Sequence, residues 1–274
     1  MNNFGKTIHD LRISRNMTQQ ELADNLFDRS TISKIEHENL ETSYENEVQL
    51  ISRLGLTLNE FEYISNNYQF STKNSLLSRF FDLEVSVEID KVEALLQDCY
   101  LIKNDGDIKR IIRILKSILL LNKSHCVNHA KEMVRPIWFD YLSKVQLLTI
   151  TDISILNTII YAFDYETADE IISKIITIID NHYPYKKSLR INTLLNQASI
   201  QMLKKKYVLA ANNLANLKPG LKDLKQYDKL LVVNARIAVC KRDKLSALEQ
   251  VTLLHKIGAN QLAEGLEQEI NEFF

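Results

Sequence analysis

The chain of 274 residues is nearly neutral, with 34 Lys or Arg against 35 Asp or Glu, and holds six glycines and three prolines. That length predicts two domains, and the scarcity of Gly and Pro, the wealth of Leu and Ile and the lack of Val/Thr alternation predict an all-α protein. No run of about eighteen apolar residues is available to span a bilayer, and Lys6, Asp10 and Arg12 interrupt any apolar leader, so a cytoplasmic protein without membrane contact is expected.

In chain order, residues 5–15 predict a first helix with Ile8 and Leu11 inward and Arg12 and Arg15 outward, although Arg12 has an alternative partner in Glu36. Thr18, followed three positions later by Glu21, predicts a capping box that opens a second helix, running to about Phe27 with Leu22, Ala23 and Leu26 on one face. Asp28 is placed to cap a third helix in which Ile32 and Ile35 turn inward. Arg29, Ser30, Thr31, Ser33 and Lys34 then point outward, and these residue types read base edges and phosphates. Arg pairs with guanine through two hydrogen bonds, Ser and Thr donate or accept, and Lys reaches guanine or phosphate. Gln19 suits a phosphate contact. Helices over 43–54 and from 57 to 63 complete a five-helix domain over residues 1–65, separated by Gly55.

Two helices and a tight turn in this order resemble the Xre/Cro-type helix-turn-helix, whose pattern is a Gln-x-x-Leu-Ala run and a recognition helix ending in Ile-x-x-Ile-Glu. Gln19–Ala23 and residues 32–36 carry those elements here. Fourteen positions separate Leu22 from Glu36, one fewer than in typical phage repressors, and Phe27 stands where the turn glycine is usual. The shorter spacing is similar to that of the Rgg family of regulators. His37 and Glu38 depart from its Arg-Gly exit, which removes one phosphate contact. Residues 1–65 hold six Lys or Arg against eleven Asp or Glu, so the acidic surplus predicts modest nonspecific affinity and reliance on a homodimer. These residues contain no cysteine, which closes the covalent linkage that some Rgg proteins use.

The polar stretch 66–75 predicts a linker. From residue 76 the chain runs as amphipathic helices over 76–99, 108–121, 127–142, 153–163, 167–181, 187–204, 208–217, 227–242, 246–257 and 261–273, broken at Asp105-Gly106, at 182–184, at Pro219-Gly220 and at Gly258. The segment 108–121, apolar around Lys109, Arg110, Arg113 and Lys116, fits a buried repeat helix or a membrane-surface helix equally. Ala168, Ala210 and Ala247, each just after an apolar or aromatic residue, recur at 42 and 37 residues, the range of helix-pair solenoids. A right-handed TPR-like helical-repeat domain over 76–274 follows, with a concave surface lined by the first helix of each pair. Asn157, Tyr161, Asn192, Asn196, Asn234 and Arg236 sit on those first helices, and Asn can satisfy a peptide backbone because its amide both donates and accepts.

The Rgg resemblance implies a homodimer that binds double-stranded promoter DNA and senses a short hydrophobic signalling peptide on the concave face. Two other readings stay open: a regulator whose helical domain has no ligand, and a protein-interaction scaffold. Cys99, Cys126 and Cys240 lack zinc or disulfide spacing and predict buried thiols, and the pair His125 and His129 lacks further metal ligands. No phosphate loop or nucleophile elbow appears, so neither catalysis nor a cofactor is expected.

Overall fold

Two reciprocal side-chain caps set the helix boundaries near the N-terminus. The computed structural model describes residues 4–38, 40–83, 89–102, 104–124 and 126–274, and the chain divides into two compact units, residues 1–78 and 79–274. In the first unit α1 (Phe4–Ser14), α2 (Gln19–Ala23), α3 (Arg29–Glu38), α4 (Tyr44–Arg53) and α5 (Leu58–Ser65) precede α6 (Thr72–Phe81). Thr18 accepts from the Glu21 N–H at 3.1 Å while the Glu21 carboxylate accepts from the Thr18 N–H at 2.6 Å, and Thr57 with Glu60 repeats the arrangement before α5. Each box satisfies two N–H groups that the first helical turn leaves free. Ile8, Leu22, Ile32, Ile35 and Leu50 pack as a shared core. Gly5 lets α1 lie directly on α3, since a Cβ there would strike the Ile35 carbonyl oxygen.

α2 ends at Ala23, earlier than the sequence pattern predicts. Asn25 takes the left-handed conformation at φ +55°, so it performs the reversal for which the motif commonly uses glycine. Arg53 secures this early end: its Nη1 donates to the carbonyls of Leu22 and Ala23 at 2.8 and 2.6 Å, oxygens that a helix of five residues cannot satisfy internally.

The second unit continues with α7 (Ile89–Cys99), α8 (Gly106–Ser124), α9 (Val127–Pro136), α10 (Ile150–Ile159) and α11 (Tyr165–His182). It closes with α12 (Lys187–Leu203), α13 (Tyr207–Asp223), α14 (Tyr227–Cys240), α15 (Lys244–Lys256) and α16 (Asn260–Phe273). All the described regular structure is helical, and no described helix is long and apolar enough to cross a membrane. α8 buries Ile108, Ile111, Ile114 and Leu115 completely, which decides for a packed repeat helix. The repeat has a steric basis. Ala168, Ala210 and Ala247 are the fourth residues of α11, α13 and α15, Ala130 and Ala263 hold the same place in α9 and α16, and all five are fully buried. A methyl group at that position admits the neighbouring helix closely.

The turns repeat as well. Lys205, Lys225, Arg242 and Gly258, at φ +58°, +55°, +62° and +81°, each stand two residues before the next helix. At the first of them the Lys206 N–H donates to the Gln201 carbonyl at 2.9 Å and the Lys205 N–H to Met202 at 2.8 Å, the paired bonds of a Schellman end, and the other three turns repeat them.

Four expected boundaries differ. Residues 72–75, expected in a linker, form the first turn of α6, which reaches Phe81, and the rest of the helix expected over 76–99 is described from Ile89 as α7, residues 84–88 lying outside the described residues. Pro219 does not break α13: a proline ring is compatible with helical φ, and Gly220 keeps α13 close to α12, where an added Cβ would lie 3.2 Å from Ile191 Cδ1. The α-helix expected over 127–142 ends at Pro136, and the chain continues through a π-helical turn (Ile137–Tyr141) and a short 3₁₀ turn (Leu142–Lys144), a change of winding common beside a proline.

A left-handed non-glycine residue costs about 1–2 kcal/mol, part of which glycine returns through its greater freedom when unfolded. Lys225→Gly should therefore stabilise the second unit by about 0.5–1 kcal/mol, whereas Ala210→Leu should destabilise it by about 1–3 kcal/mol through overpacking. Trp138, the single tryptophan, is buried in this unit, so its fluorescence during urea unfolding reads both changes.

Candidate nucleic-acid interface and inner helical face

Glu36, near the end of α3, is the polar centre of the first unit. Its carboxylate accepts from Arg12 Nε at 2.6 Å, from Arg12 Nη2 at 3.0 Å and from Gln19 Nε2 at 2.9 Å, joining α1, α2 and α3 through one side chain. The Arg12 Nη1 donates to the Met17 carbonyl at 2.7 Å. Burial pushes the Glu36 carboxyl upward, but hydrogen bonds from Arg12 and Gln19 together with the Arg12 charge outweigh it and hold the group below the usual carboxylate range. The same pairing raises the Arg12 guanidinium.

This arrangement corrects the outward placement of Arg12. The side chain is buried, with Nε, Nη1 and Nη2 each donating within the unit, so it orients helices instead of facing outward. Gln19 commits one amide hydrogen to Glu36, and its NH₂ group carries a second. Arg15, Arg29, Ser30 and Lys34 are exposed and Thr31 and Ser33 half-exposed, while Ile32 and Ile35 of the same helix are buried. The third helix thus presents a polar outer face with its orientation fixed from behind. His37 Nδ1 lies 3.0 Å from the Ser33 carbonyl, and its ring meets that of His9 edge to face at 5.6 Å.

The six residues proposed for the inner face of the second unit form a ladder of hydrogen bonds. Tyr161, in the 3₁₀ turn Ile160–Ala162 that follows α10, meets Ser117 of α8 at 2.8 Å. Asn157 donates to Thr193 Oγ1 at 2.9 Å, and Asn196 donates to the Asn157 carbonyl at 3.1 Å, linking α10 to α12. Lys229 donates to Asn192 Oδ1 at 2.9 Å, and Gln226, at the N-cap of α14, donates to Ser188 at 3.0 Å. Arg236 grips Glu269 of α16 with two bonds of 2.7 Å, and Asn234 reaches Gln250 of α15 at 3.4 Å. Three amide oxygens on this ladder, of Asn157, Gln226 and Asn234, are buried without a partner. The sequence signal missed was Lys229 and Gln226, whose spacing of three puts them one turn apart on α14.

Cys99 is buried, and burial pushes its thiol up to about 11, while Cys240 is half-buried. Cys126 is exposed, contrary to the expectation of a buried thiol, because it precedes the first residue of α9. His125 lies outside the described residues, and His129 is exposed. Among the described residues no three His, Cys, Asp or Glu gather to hold a metal ion.

Residues 8–61 match the helix-turn-helix family model. The segment is a helix-turn-helix domain. No curated protein matches the chain by sequence. Among solved structures the chain is similar to a Listeria monocytogenes protein described as a transcriptional regulator, with 18% identity, 99% of this chain and 97% of that one covered, and a TM-score of 0.74. It is similar to the SHP pheromone receptor Rgg2 of Streptococcus dysgalactiae, at 19% identity, 98% and 100% coverage and a TM-score of 0.70. PlcR of Bacillus thuringiensis, solved in complex with the peptide PapR7 and DNA, shares 10% identity over 96% and 99% of the chains at a TM-score of 0.68. At these identities the likeness concerns architecture: a helix-turn-helix followed by helical repeats.

In the helix-turn-helix unit, Glu36→Ala leaves Arg12 buried without its counter-charge and should destabilise that unit by about 3–5 kcal/mol. With the folded carboxyl held low, its stabilisation is complete above the unfolded value of about 4.3 and is lost as pH falls through the lower folded value. Glu21 and Glu60, lowered by the backbone N–H groups of Thr18 and Thr57, act with the same sign. An acid titration should therefore reduce helical circular dichroism before the fluorescence of Trp138 changes, and Glu36→Ala should bring the same separation at neutral pH. Coincident transitions in both signals would contradict it.

Proposed function

We propose that the chain is a cytoplasmic, non-enzymatic transcription regulator that binds promoter DNA as a homodimer and is controlled by a short hydrophobic peptide on the inner face of its repeat domain. The observation that carries the DNA-binding half is α3: its buried side is fixed through Glu36, and Arg29, Ser30 and Lys34 stand exposed on the other side. Thr31 and Ser33 flank them, Arg15 and the second amide hydrogen of Gln19 supply phosphate contacts, and the helix enters the major groove. A two-fold dimer then reads half-sites about one helical turn, or a multiple of it, apart. The acidic composition of residues 1–65 keeps binding at nonspecific sequences weak, so affinity depends on both half-sites.

Peptide control is supported by the three unpartnered amide oxygens on the inner ladder, which suit the N–H groups of an extended backbone. The fold shared with Rgg2, a pheromone receptor, and with PlcR, solved with its peptide, agrees with this reading. One observation favours a ligand-free dimerisation domain instead: every one of the six inner-face residues already has a partner within the chain. Asn157, Asn192, Asn196 and Asn234 serve both readings, since an amide engaged on one side still has a second group to offer.

Fluorescence anisotropy with the DNA upstream of the gene tests the first half. Arg29→Ala should weaken specific binding about 10- to 100-fold, and Lys34→Ala should lower the salt dependence by about one ion without changing the fold. Unchanged affinity in both variants would remove α3 as the recognition helix.

A further inference from the structure

Resting on the peptide reading above, we infer that Lys229 and Asn192 form a receptor for a carboxylate, and that in the bound peptide this carboxylate is its C-terminus. Among the described residues the Lys229 ammonium has one hydrogen-bond partner, the Asn192 amide oxygen at 2.9 Å, and no carboxylate within ion-pair distance, although the side chain is half-buried. Its neighbour on the same helix, Arg236, is by contrast neutralised by Glu269 through two short bonds. An ammonium donates only, so the face of the Asn192 amide turned toward it must be the oxygen. The NH₂ group of Asn192 is thereby turned away from the ammonium, and among the described residues it has no hydrogen-bond partner. Lys229 of α14 and Asn192 of α12 thus offer donors, one of them charged, beyond the single bond between them, and a carboxylate with its two oxygens can take one from each.

The next rung toward the helix N-termini favours one source of that carboxylate. Ser188 lies four residues before Asn192 and Gln226 three before Lys229, so both stand one helical turn away, about 5.4 Å along the axes. The Gln226 Nε2 donates to Ser188 and its Oε1 is buried without a donor. A charged anchor for the carboxylate therefore has, one turn away, an acceptor for a backbone N–H close to it in sequence. A terminal carboxylate is joined directly to a residue carrying such an N–H, whereas the carboxylate of an Asp or Glu side chain is set off from the backbone by its stem. The bound peptide then ends at Lys229 and runs back past Gln226.

The test exposes the full-length protein to a synthetic pool of random octapeptides of Leu, Ile, Val, Phe, Gly, Ser and Asn, prepared once with free C-termini and once as C-terminal amides. A third pool is amidated and carries one internal Asp. Peptides retained after gel filtration are sequenced by mass spectrometry, and their affinities are measured by anisotropy. Retention from the free-acid pool, a loss of tenfold or more on amidation and a similar loss in Lys229→Gln, with Lys229→Arg close to the parent, is the expected result. Glutamine keeps a donor for Asn192 while removing the charge, and equal melting curves for the three proteins exclude unfolding as the cause. Equal retention of acids and amides, or full binding by Lys229→Gln, overturns the carboxylate receptor and leaves the peptide reading standing. Retention of the Asp-containing amides at the strength of the free acids assigns the group to a side chain and overturns the C-terminal assignment. Failure to retain any peptide from any pool overturns both the receptor and the peptide reading.

Discussion

The pairing of Arg12 with Glu36 is the constraint on which the geometry of the N-terminal unit depends. A short α2 and a ten-residue α3 cannot hold a defined angle by apolar contact alone, because Leu22, Ala23, Ile32 and Ile35 are non-directional. Glu36 supplies direction: it takes two bonds from α1 and one from α2, and Arg12 extends the network to the Met17 carbonyl just before the capping box. The desolvation of two charges is offset because the geometry is bidentate and Gln19 fills a further acceptor position. Arg53 adds the second fixed point by tying the C-terminal carbonyls of α2 to α4, and Gly5 removes the side chain that would force α1 away from α3. Rotation of α3 about its own axis is thereby closed off, and Arg29, Ser30 and Lys34 are carried as a fixed set.

Much of this was legible in the sequence because local chemistry decides it. The Thr18–Glu21 box, the inward Ile32 and Ile35 and the outward polar residues of α3 follow from spacing and periodicity, which are local. The turn misled because a left-handed asparagine serves as well as glycine, so Phe27 was read as a substitution at the turn when Asn25 performs the reversal. Arg53 was invisible for another reason: its partners lie 30 and 31 residues away and are carbonyls, which leave no mark in sequence. In the second unit three alanines revealed the repeat, but Ala130 lay beyond them and Ala263 follows Ala247 at only half the period, since α16 has no first helix before it. Of the four Schellman turns only the one at Gly258 showed in the sequence, because lysine and arginine occupy the same position in the other three.

The inner-face candidates show the limit of reading single residues. Asn157, Asn192, Asn196 and Asn234 were selected for their ability to donate and accept, and that same ability lets the first three join successive first helices while Asn234 ties α14 to α15. A ladder of this kind stiffens the repeat against sliding, since apolar contacts tolerate a small shift but a hydrogen bond lost in a half-buried place costs about 1–3 kcal/mol. The rungs are unequal, however. Arg236 with Glu269 is closed, with charge and hydrogen bonds both balanced. The rungs at Asn157, Gln226 and Lys229 each leave a donor or an acceptor over.

That inequality bears on how a ligand can act on this domain. A ligand shifts a conformational equilibrium only by as much as its affinity differs between the two arrangements. Contacts made to groups whose positions are the same in both arrangements add affinity and no shift. The open groups on α10, α12 and α14 lie on rungs between consecutive repeats, so their spacing changes whenever one helix pair moves against the next, and a ligand that bridges them is sensitive to that movement. The closed rung between α14 and α16 gives the opposite behaviour, holding the C-terminal pair as a fixed reference whether or not a ligand is present. Couplings between sites are commonly about 1–3 kcal/mol, the size of one or two open rungs satisfied in one arrangement and not in the other. In the proposed regulator, then, signal strength depends less on how tightly the peptide binds than on how many of its bonds span two first helices.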